Sequence, residues 1–219
     1  MKRFRRPSKT TIAISVILLA LATIIFLKLA DDVWFREGFW WDAPLMLAIH
    51  RLSAPIPDAL VMALTTTGGR LLPVIFIGTA IVLWKKELPT ELIALSVSVV
   101  GAFAINAALK WLFARPRPAV FPPLTVETTY SFPSGHAMMA MAFYGLLAVF
   151  LWEYERRTTA ILAAGWVPVI AFTRVYLGVH YPSDVLGALA VGLFWLIVVV
   201  WGHRSFRRQA YAAIQIFRA

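Results

Sequence analysis

The sequence predicts an all-α fold, a polytopic bundle of about six transmembrane helices in one domain over residues 1–219. Hydrophobic residues make up 60% of the chain, charged residues make up only 15%, and the mean hydropathy is +0.75. Soluble domains are typically closer to half apolar and a quarter charged, so this composition indicates a protein that folds in lipid. The apolar residues are concentrated in runs long enough for helical spans, and basic residues border these runs.

The composition also narrows the functional classes. Cysteine is absent, which excludes disulfide bonds, thiolate metal sites and cysteine nucleophiles. The formal net charge of +10 would suit a nucleic-acid partner, but the basic residues lie beside the apolar runs, where they define membrane topology. The sequence contains no glycine-rich nucleotide loop, no zinc-ligand spacing and no repeat. We therefore expect an integral membrane protein without a nucleic-acid partner.

The first predicted span covers residues 11–29. It follows a segment that holds five basic residues within the first ten positions. A basic start before an apolar run also describes a secretory signal peptide, but this run is longer than the roughly 7–15 apolar residues of a cleaved signal. We therefore favour an uncleaved anchor, and either alternative gives the rest of the chain the same orientation.

Residues 38–62 form a predicted interfacial segment. Tryptophans clustered beside a span are typical of the headgroup region, and this segment contains Trp40 and Trp41. We expect one interfacial helix near residues 42–53 and a second helical piece near residues 56–67.

The second predicted span, residues 63–84, depends on a short apolar run. That run, residues 71–84, has only 14 residues, whereas a spanning helix needs about 20. It crosses the membrane only if its helix begins upstream of residues 68–70, or if the bilayer adapts to it.

Four further spans complete the prediction. A proline-rich loop follows the third span, because a regular helix cannot continue through its prolines. The expected limits of these spans are residues 91–109, 134–152, 159–176 and 184–201. The region 110–184 also holds three polar clusters, set in otherwise apolar sequence.

Basic residues orient the predicted spans. With the N-terminus in the cytoplasm, 13 of the 21 lysines and arginines and only four of the 11 acidic residues lie on the cytoplasmic side. The positive-inside rule therefore predicts cytoplasmic N- and C-termini for a protein of the cytoplasmic (inner) membrane. All three polar clusters then lie on the periplasmic or extracellular face, a coincidence that the counting does not force.

The first polar cluster contains Lys110, Arg115 and Arg117. Cations at a membrane edge commonly snorkel or contact lipid headgroups, and that interpretation would suffice for this cluster alone. A phosphoryl group, however, is best held by forked arginine donors together with a lysine. The cluster is therefore a candidate phosphate-binding site.

The second polar cluster contains Ser134, Gly135 and His136, at the start of the fourth span. Ser134 is a candidate N-cap, and a helix start offers unpaired N–H groups to an anion. Gly135 would let an anion approach the backbone closely. An ordinary serine cap beside an interfacial histidine would explain the same residues.

The third polar cluster contains Arg174, His180 and Asp184. A carboxylate on one ring nitrogen would fix the tautomer that a nucleophilic histidine needs. Alternatively, Asp184 stabilises a helix start beside an interfacial histidine. The chain has only four histidines, and two of them fall in these clusters, whereas we expect His50 and His203 to be structural.

Together, the clusters resemble the signature of the type 2 phosphatidic acid phosphatases, which include bacterial phosphatidylglycerophosphatase B and undecaprenyl pyrophosphate phosphatases. The pattern is Lys-x6-Arg-Pro, then Pro-Ser-Gly-His, then Arg-x5-His-x3-Asp. One departure is Thr173, where the family usually has serine, and the hydroxyl is retained. The matching residues are Lys110, Arg117, Pro118, Pro133, Ser134, Gly135, His136, Arg174, His180 and Asp184.

The resemblance implies a core like that of acid phosphatases and vanadium haloperoxidases, and a two-step phosphoryl transfer without a metal ion or other cofactor. It makes His180 the nucleophile, Asp184 its partner, and His136 the general acid and then the general base. Arg115 is a candidate extra phosphate contact outside the motif. The residues implied in phosphate binding are Lys110, Arg117, Ser134, Gly135 and Arg174.

A site at the outer edge of the bilayer would take a lipid headgroup while the tails remain in hydrocarbon. The candidate substrates are undecaprenyl pyrophosphate, phosphatidylglycerophosphate and phosphatidic acid, and no obligate protein partner is inferred. Three alternatives stay open: phosphoryl transfer to another lipid, haloperoxidase chemistry with bound vanadate, which the spans argue against, and a catalytically silent protein that binds phospholipid. Binding alone needs only the cations, so the set of His136, His180 and Asp184 favours catalysis.

Overall fold

The computed structural model describes residues 8–52 and 57–216, which form an all-α bundle. A π-helical turn, Met141–Gly145, connects two of the helices without a break. The predicted fold class is thereby confirmed, while residues 53–56 of the interfacial segment and the basic residues before position 8 lie outside the described residues. The helices are α1 (Lys9–Trp34), α2 (Asp42–Leu52), α3 (Asp58–Thr66), α4 (Leu72–Lys85), α5 (Pro89–Phe113), α6 (Gly135–Ala140), α7 (Leu146–Glu153), α8 (Arg157–Tyr176) and α9 (Pro182–Ile216).

In the described part of the chain, five helical segments are long and apolar enough to cross a membrane. They are Lys9–Trp34, Pro89–Phe113, Gly135–Glu153, Arg157–Tyr176 and Pro182–Gln209. Each overlaps one of the predicted spans. The last segment runs past the predicted end at residue 201, because a helix need not stop where the lipid stops and the basic tail contains no proline.

The predicted second span, residues 63–84, is two helices instead of one. α3 ends at Thr66, the chain turns through residues 67–71, and α4 begins at Leu72 and has only 14 residues. Thr66 and Thr67 each donate the side-chain hydroxyl to the carbonyl three residues earlier, at 2.6 Å and 2.7 Å. Such bonds compete with regular helical pairing, and two glycines follow directly. The helix therefore does not begin upstream of the glycine pair.

Two hydrogen bonds from one serine and one tryptophan hold α5 against the middle of the bundle. The indole N–H of Trp195 in α9 donates to Ser98 O at 2.9 Å, and the absence of a side chain at Gly101 makes room for this indole ring. The Ser98 hydroxyl donates to Ala142 O at 2.8 Å, inside the π-helical turn. A side chain that donates a hydrogen bond to a helical carbonyl in this way disturbs the regular backbone hydrogen bonds of the α-helix.

The first turn of α5 is joined to α7 and α9 by a buried carboxylate. Glu91 accepts a hydrogen bond from the Tyr154 hydroxyl at 2.7 Å and pairs with Arg207 at 3.1 Å. His203 lies 4.0 Å from the same carboxylate. About 19 residues of helix, or roughly 29 Å, separate Glu91 from Lys110, so His203 is remote from the polar clusters.

Candidate active site

Three helix ends meet at one end of the bundle. Lys110 lies in the last turn of α5, Gly135 opens α6, and Asp184 lies in the first turn of α9. The backbone N–H of Ser134 donates to Asp184 O at 3.1 Å, which ties the start of α6 to α9. The amide of Asn106 in α5 donates to the carbonyl just before Ser134 at 3.1 Å. These bonds bring the three polar clusters together.

His180 is enclosed beside a carboxylate. Its Nδ1 lies 3.5 Å from Asp184 Oδ2 and 3.4 Å from Ser131 Oγ. The Ser131 hydroxyl donates to the same carboxylate oxygen. With Nδ1 facing Asp184, the neutral ring carries its proton there and keeps a lone pair on Nε2. Burial lowers the pKa of His180 to about 4, against the opposing effect of Asp184, so the ring is neutral at physiological pH.

An arginine whose side chain is 12% exposed supports Asp184 from behind. Arg115 donates to Asp184 Oδ1 and, at 2.8 Å, to Ser183 Oγ. It also pairs with Asp42 Oδ2 at 3.0 Å, and its guanidinium lies 4.3 Å from the ring centroid of Tyr181. Asp42, the first residue of α2, accepts the backbone N–H of Ser183 at 2.9 Å. The expectation that Arg115 is an extra phosphate contact is therefore replaced by a role in holding Asp184, because its hydrogen bonds go to carboxylate and hydroxyl oxygens.

Two predicted phosphate-binding cations lie on the other side of His180. Arg117 NH1 is 3.3 Å from His180 Nε2, and Arg117 Nε donates to Thr129 O at 2.7 Å. Lys110 Nζ donates to Thr129 Oγ1 at 3.3 Å. Burial lowers the pKa of Arg117 from its usual value, and the ordinary pKa is so high that the guanidinium stays charged. The lone pair of His180 therefore faces positive charge.

The third predicted cation, Arg174, is almost completely buried at the end of α8. Its NH1 donates to Thr65 Oγ1 of α3 at 2.7 Å, and its NH2 pairs with Glu127. Within residues 8–52 and 57–216, Arg174 Nε and Ser134 Oγ are buried without a hydrogen-bond partner. Ser134 occupies the N-cap position of α6, but its hydroxyl makes no capping bond. Buried polar atoms normally have partners, so both atoms are available to a bound ligand.

His136 is held against the turn between α3 and α4. A Cβ atom on Gly69 would lie 2.2 Å from His136 Nε2, so a side chain at this position would push the ring out of its place. His136 is also within electrostatic range of Arg174, Glu127 and His180. The histidines of the second and third polar clusters thus share one site.

Sequence reasoning missed several residues that complete this site. Two of them had a readable signal, since Glu127 is the one acidic residue between positions 110 and 134, and Ser131 is three residues before Ser134. The other residues come from distant segments, and nothing local marks them. The missed residues are Asp42, Thr65, Gly69, Asn106, Glu127, Thr129 and Ser131.

Among the residues that the structure describes, no three histidine, aspartate or glutamate side chains are placed to share a metal ion. Independence from metal stays a prediction, which chelation tests directly.

Comparison with known proteins identifies the family. The PAP2 superfamily model matches residues 91–208, more than half of the chain. Phosphatidylglycerophosphatase B of Bacillus subtilis (strain 168) is 35% identical over 186 residues, which cover 80% of this chain and 90% of that protein. The chain belongs to the PAP2 superfamily. A putative undecaprenyl-diphosphatase of Escherichia coli (strain K12) is 32% identical over 142 residues, 59% of this chain and 69% of the relative.

Solved structures agree with this assignment. The crystal structure of a transmembrane PAP2 type phosphatidylglycerolphosphate phosphatase from Bacillus subtilis has a TM-score of 0.69 and 26% identity, covering 87% of this chain and 96% of its own. Aquifex aeolicus LpxE, at 23% identity and a TM-score of 0.55, supports the fold alone. The family resemblance, the integral membrane location and the enzyme class, a phosphoric ester hydrolase, are confirmed.

Proposed function

We propose that this PAP2 member hydrolyses a phosphate or pyrophosphate ester of a membrane lipid, without a metal ion, through a phosphohistidine intermediate. The observation that carries the proposal is the setting of His180. Its Nδ1 faces Asp184 at 3.5 Å, and its Nε2 faces Arg117 at 3.3 Å. A neutral imidazole in this orientation is a nucleophile directed at the cationic end of the site.

In the first step, His180 Nε2 forms a bond to phosphorus while the bond from phosphorus to the leaving oxygen breaks. His136 donates a proton to that oxygen. Asp184 stabilises the positive charge that the ring of His180 acquires. Lys110, Arg117 and Arg174 neutralise the charge on the phosphoryl oxygens.

In the second step, a water molecule attacks phosphorus and the bond between phosphorus and His180 breaks. His136, now neutral, accepts a proton from that water. The hydroxyl of Ser134 and the backbone N–H groups of Gly135 and His136 bind phosphoryl oxygens in both steps. The unpartnered Ser134 Oγ supports this assignment.

A lipid substrate follows from the position of the site among exposed apolar surfaces. Trp111, directly after Lys110, is 77% exposed, and Phe103 on the same helix is 66% exposed. An exposed tryptophan at a helix end is typical of the membrane interface, so a headgroup can reach the cations while its tails stay in lipid. We propose phosphatidylglycerophosphate, undecaprenyl pyrophosphate or phosphatidic acid as the substrate, with the site on the periplasmic or extracellular face.

Phosphate release from short-chain phosphatidic acid by the purified protein tests this function. We expect activity to survive EDTA and to fall by about 10³-fold in His180→Ala and in His136→Ala. His50→Ala, which changes an exposed histidine of α2, is the matched control and should stay active. Turnover that persists in His180→Ala rejects the covalent route, and loss in EDTA that added metal restores rejects metal independence.

The natural substrate is then found by competition. Phosphatidylglycerophosphate and undecaprenyl pyrophosphate supplied together compete for one site, and the ratio of their kcat/KM values measures the preference. A ratio near one would mean that the chain does not discriminate between these headgroups.

A further inference from the structure

A short stretch of the loop before α6 supplies acceptors to all three cations that we assign to phosphate. Glu127 pairs with Arg174. Thr129 accepts from Lys110 at 3.3 Å through its hydroxyl, and from Arg117 at 2.7 Å through its carbonyl. Glu127 contributes a full negative charge to this set. Its carboxylate therefore occupies a position on Arg174 that a phosphoryl oxygen would take.

The carboxylate of Glu127 can move while Arg174 stays in place. One backbone hydrogen bond on each side of Glu127 fixes the loop. Leu124 N donates to Leu177 O at 3.1 Å, and Ser131 N donates to the carbonyl of residue 115 at 2.9 Å. Between these bonds the Glu127 side chain is still 26% exposed, whereas that of Arg174 is 1% exposed.

Arg174 does not depend on Glu127 for its orientation. Its NH1 is separately bonded to Thr65 at 2.7 Å, and the guanidinium is enclosed by the bundle. Burial acts to raise the pKa of Glu127, but the positive charges of Arg174 and its neighbours outweigh it and lower that pKa below the ordinary value. Glu127 is therefore an anion whenever the site is ready for substrate.

Resting on the proposed function, we infer that Glu127 is the competing anion of the phosphate site and limits its affinity for free phosphate. Its carboxylate neutralises Arg174 in the free enzyme, leaves when a substrate phosphoryl group binds, and returns as phosphate departs. Two anions on one buried guanidinium repel each other strongly. The displacement weakens binding of every phosphorylated ligand by a similar factor. Free phosphate, which has no further contacts, therefore binds weakly, whereas a lipid substrate compensates through the contacts of its tails.

Glu127→Gln tests this inference, because it removes the charge and keeps the shape. Calorimetric titration of the purified protein with inorganic phosphate should give a Kd about tenfold lower than for the wild type. The inhibition constant of inorganic phosphate, measured in lipid phosphate hydrolysis, should fall by the same factor. Glu37→Gln is the matched control, since it removes one charge from an exposed residue just after α1, and should leave the Kd unchanged.

Unchanged or weaker phosphate binding in Glu127→Gln overturns the inference, and weaker binding would show that Glu127 orients Arg174. Glu127→Ala is a second variant without the glutamine amide, and it should tighten binding at least as much. The calorimetric measurement needs no turnover. Tighter binding without any hydrolysis would reject the proposed function alone, and hydrolysis with equal Kd values would reject this inference alone.

Discussion

Replacing Arg115 tests how the site keeps Asp184 ionised and fixed beside His180. Arg115 lies between two carboxylates, Asp184 and Asp42, whose side chains are 0% and 4% exposed. Arg115→Gln retains hydrogen-bonding capacity but removes the charge that compensates both of them. We therefore expect Asp184 to orient and stabilise the ring of His180 less well.

The size of the effect follows from this burial. Removing one partner from a buried ion pair costs about 3–5 kcal/mol of stability, because a buried charge is left uncompensated. The lower end applies to Arg115→Gln, since Asp184 keeps its bond from Ser131 and Asp42 keeps the backbone N–H of Ser183. If about half of that loss appears in the transition state, kcat/KM falls by about tenfold.

Thermal unfolding in detergent and kcat/KM on a short-chain lipid phosphate measure the two effects. Arg51→Gln, at an exposed position of the same helix as Asp42, should change neither quantity. Asp42→Asn should lower kcat/KM less than Arg115→Gln, because Asp42 pairs with Arg115, whereas Arg115 pairs with Asp184 itself. Folded Arg115→Gln protein with kcat/KM within about twofold of the wild type would refute the reasoning, since one bond of this kind accounts for more.

Three further predictions concern the packing of His136, the titration of His180 and the orientation in the membrane. Gly69→Ala should abolish most phosphatase activity, because its Cβ would lie 2.2 Å from His136 Nε2. Gly165→Ala, whose Cβ meets nothing within 4 Å, should be fully active. Equal activity of the two variants would contradict this packing. The pKa of His180 is lowered to about 4, below the roughly 6.5 of an unfolded histidine. Its contribution to the free energy of unfolding should therefore fall as the pH drops from about 6.5 to about 4, and imidazole nitrogen NMR that shows titration near 6.5 would contradict this. Because the chain has no cysteine, Thr125→Cys should react with an impermeant thiol reagent on intact cells, and labelling only after lysis would reverse the predicted orientation.

The sequence was sufficient to predict the long apolar helices and to place the three polar clusters at one end of them, for a physical reason. Long apolar runs form spans wherever the bilayer is the solvent. Polar side chains at the ends of such runs, such as Lys110 and Asp184, can only gather where those ends meet. The end of α3 at Thr66 agrees with the predicted helical piece near residues 56–67. The predicted span over residues 63–84 missed this break, because a threonine and glycine turn inside an apolar stretch has no clear signature in hydropathy.

The sequence could not predict which charged side chains pair with one another, because tertiary contacts determine these pairs. Arg115 and Arg117 are two positions apart and chemically identical, yet the loop sends one to Asp184 and Asp42 and the other to the Nε2 side of His180. Asp42 is more than 70 residues away along the chain from Arg115, so no local pattern could link them. The competition of Glu127 for Arg174 likewise depends on where the loop folds back.

The most direct test of the mechanism is to identify the phosphorylated residue during turnover. Purified protein mixed with a lipid substrate labelled at phosphorus and quenched in base should carry label that is stable in base and labile in acid, as a phosphoramidate is. Peptide mapping should place that label on His180, and His180→Ala should carry none. Label on any other residue, or full turnover by His180→Ala without label, would contradict the account.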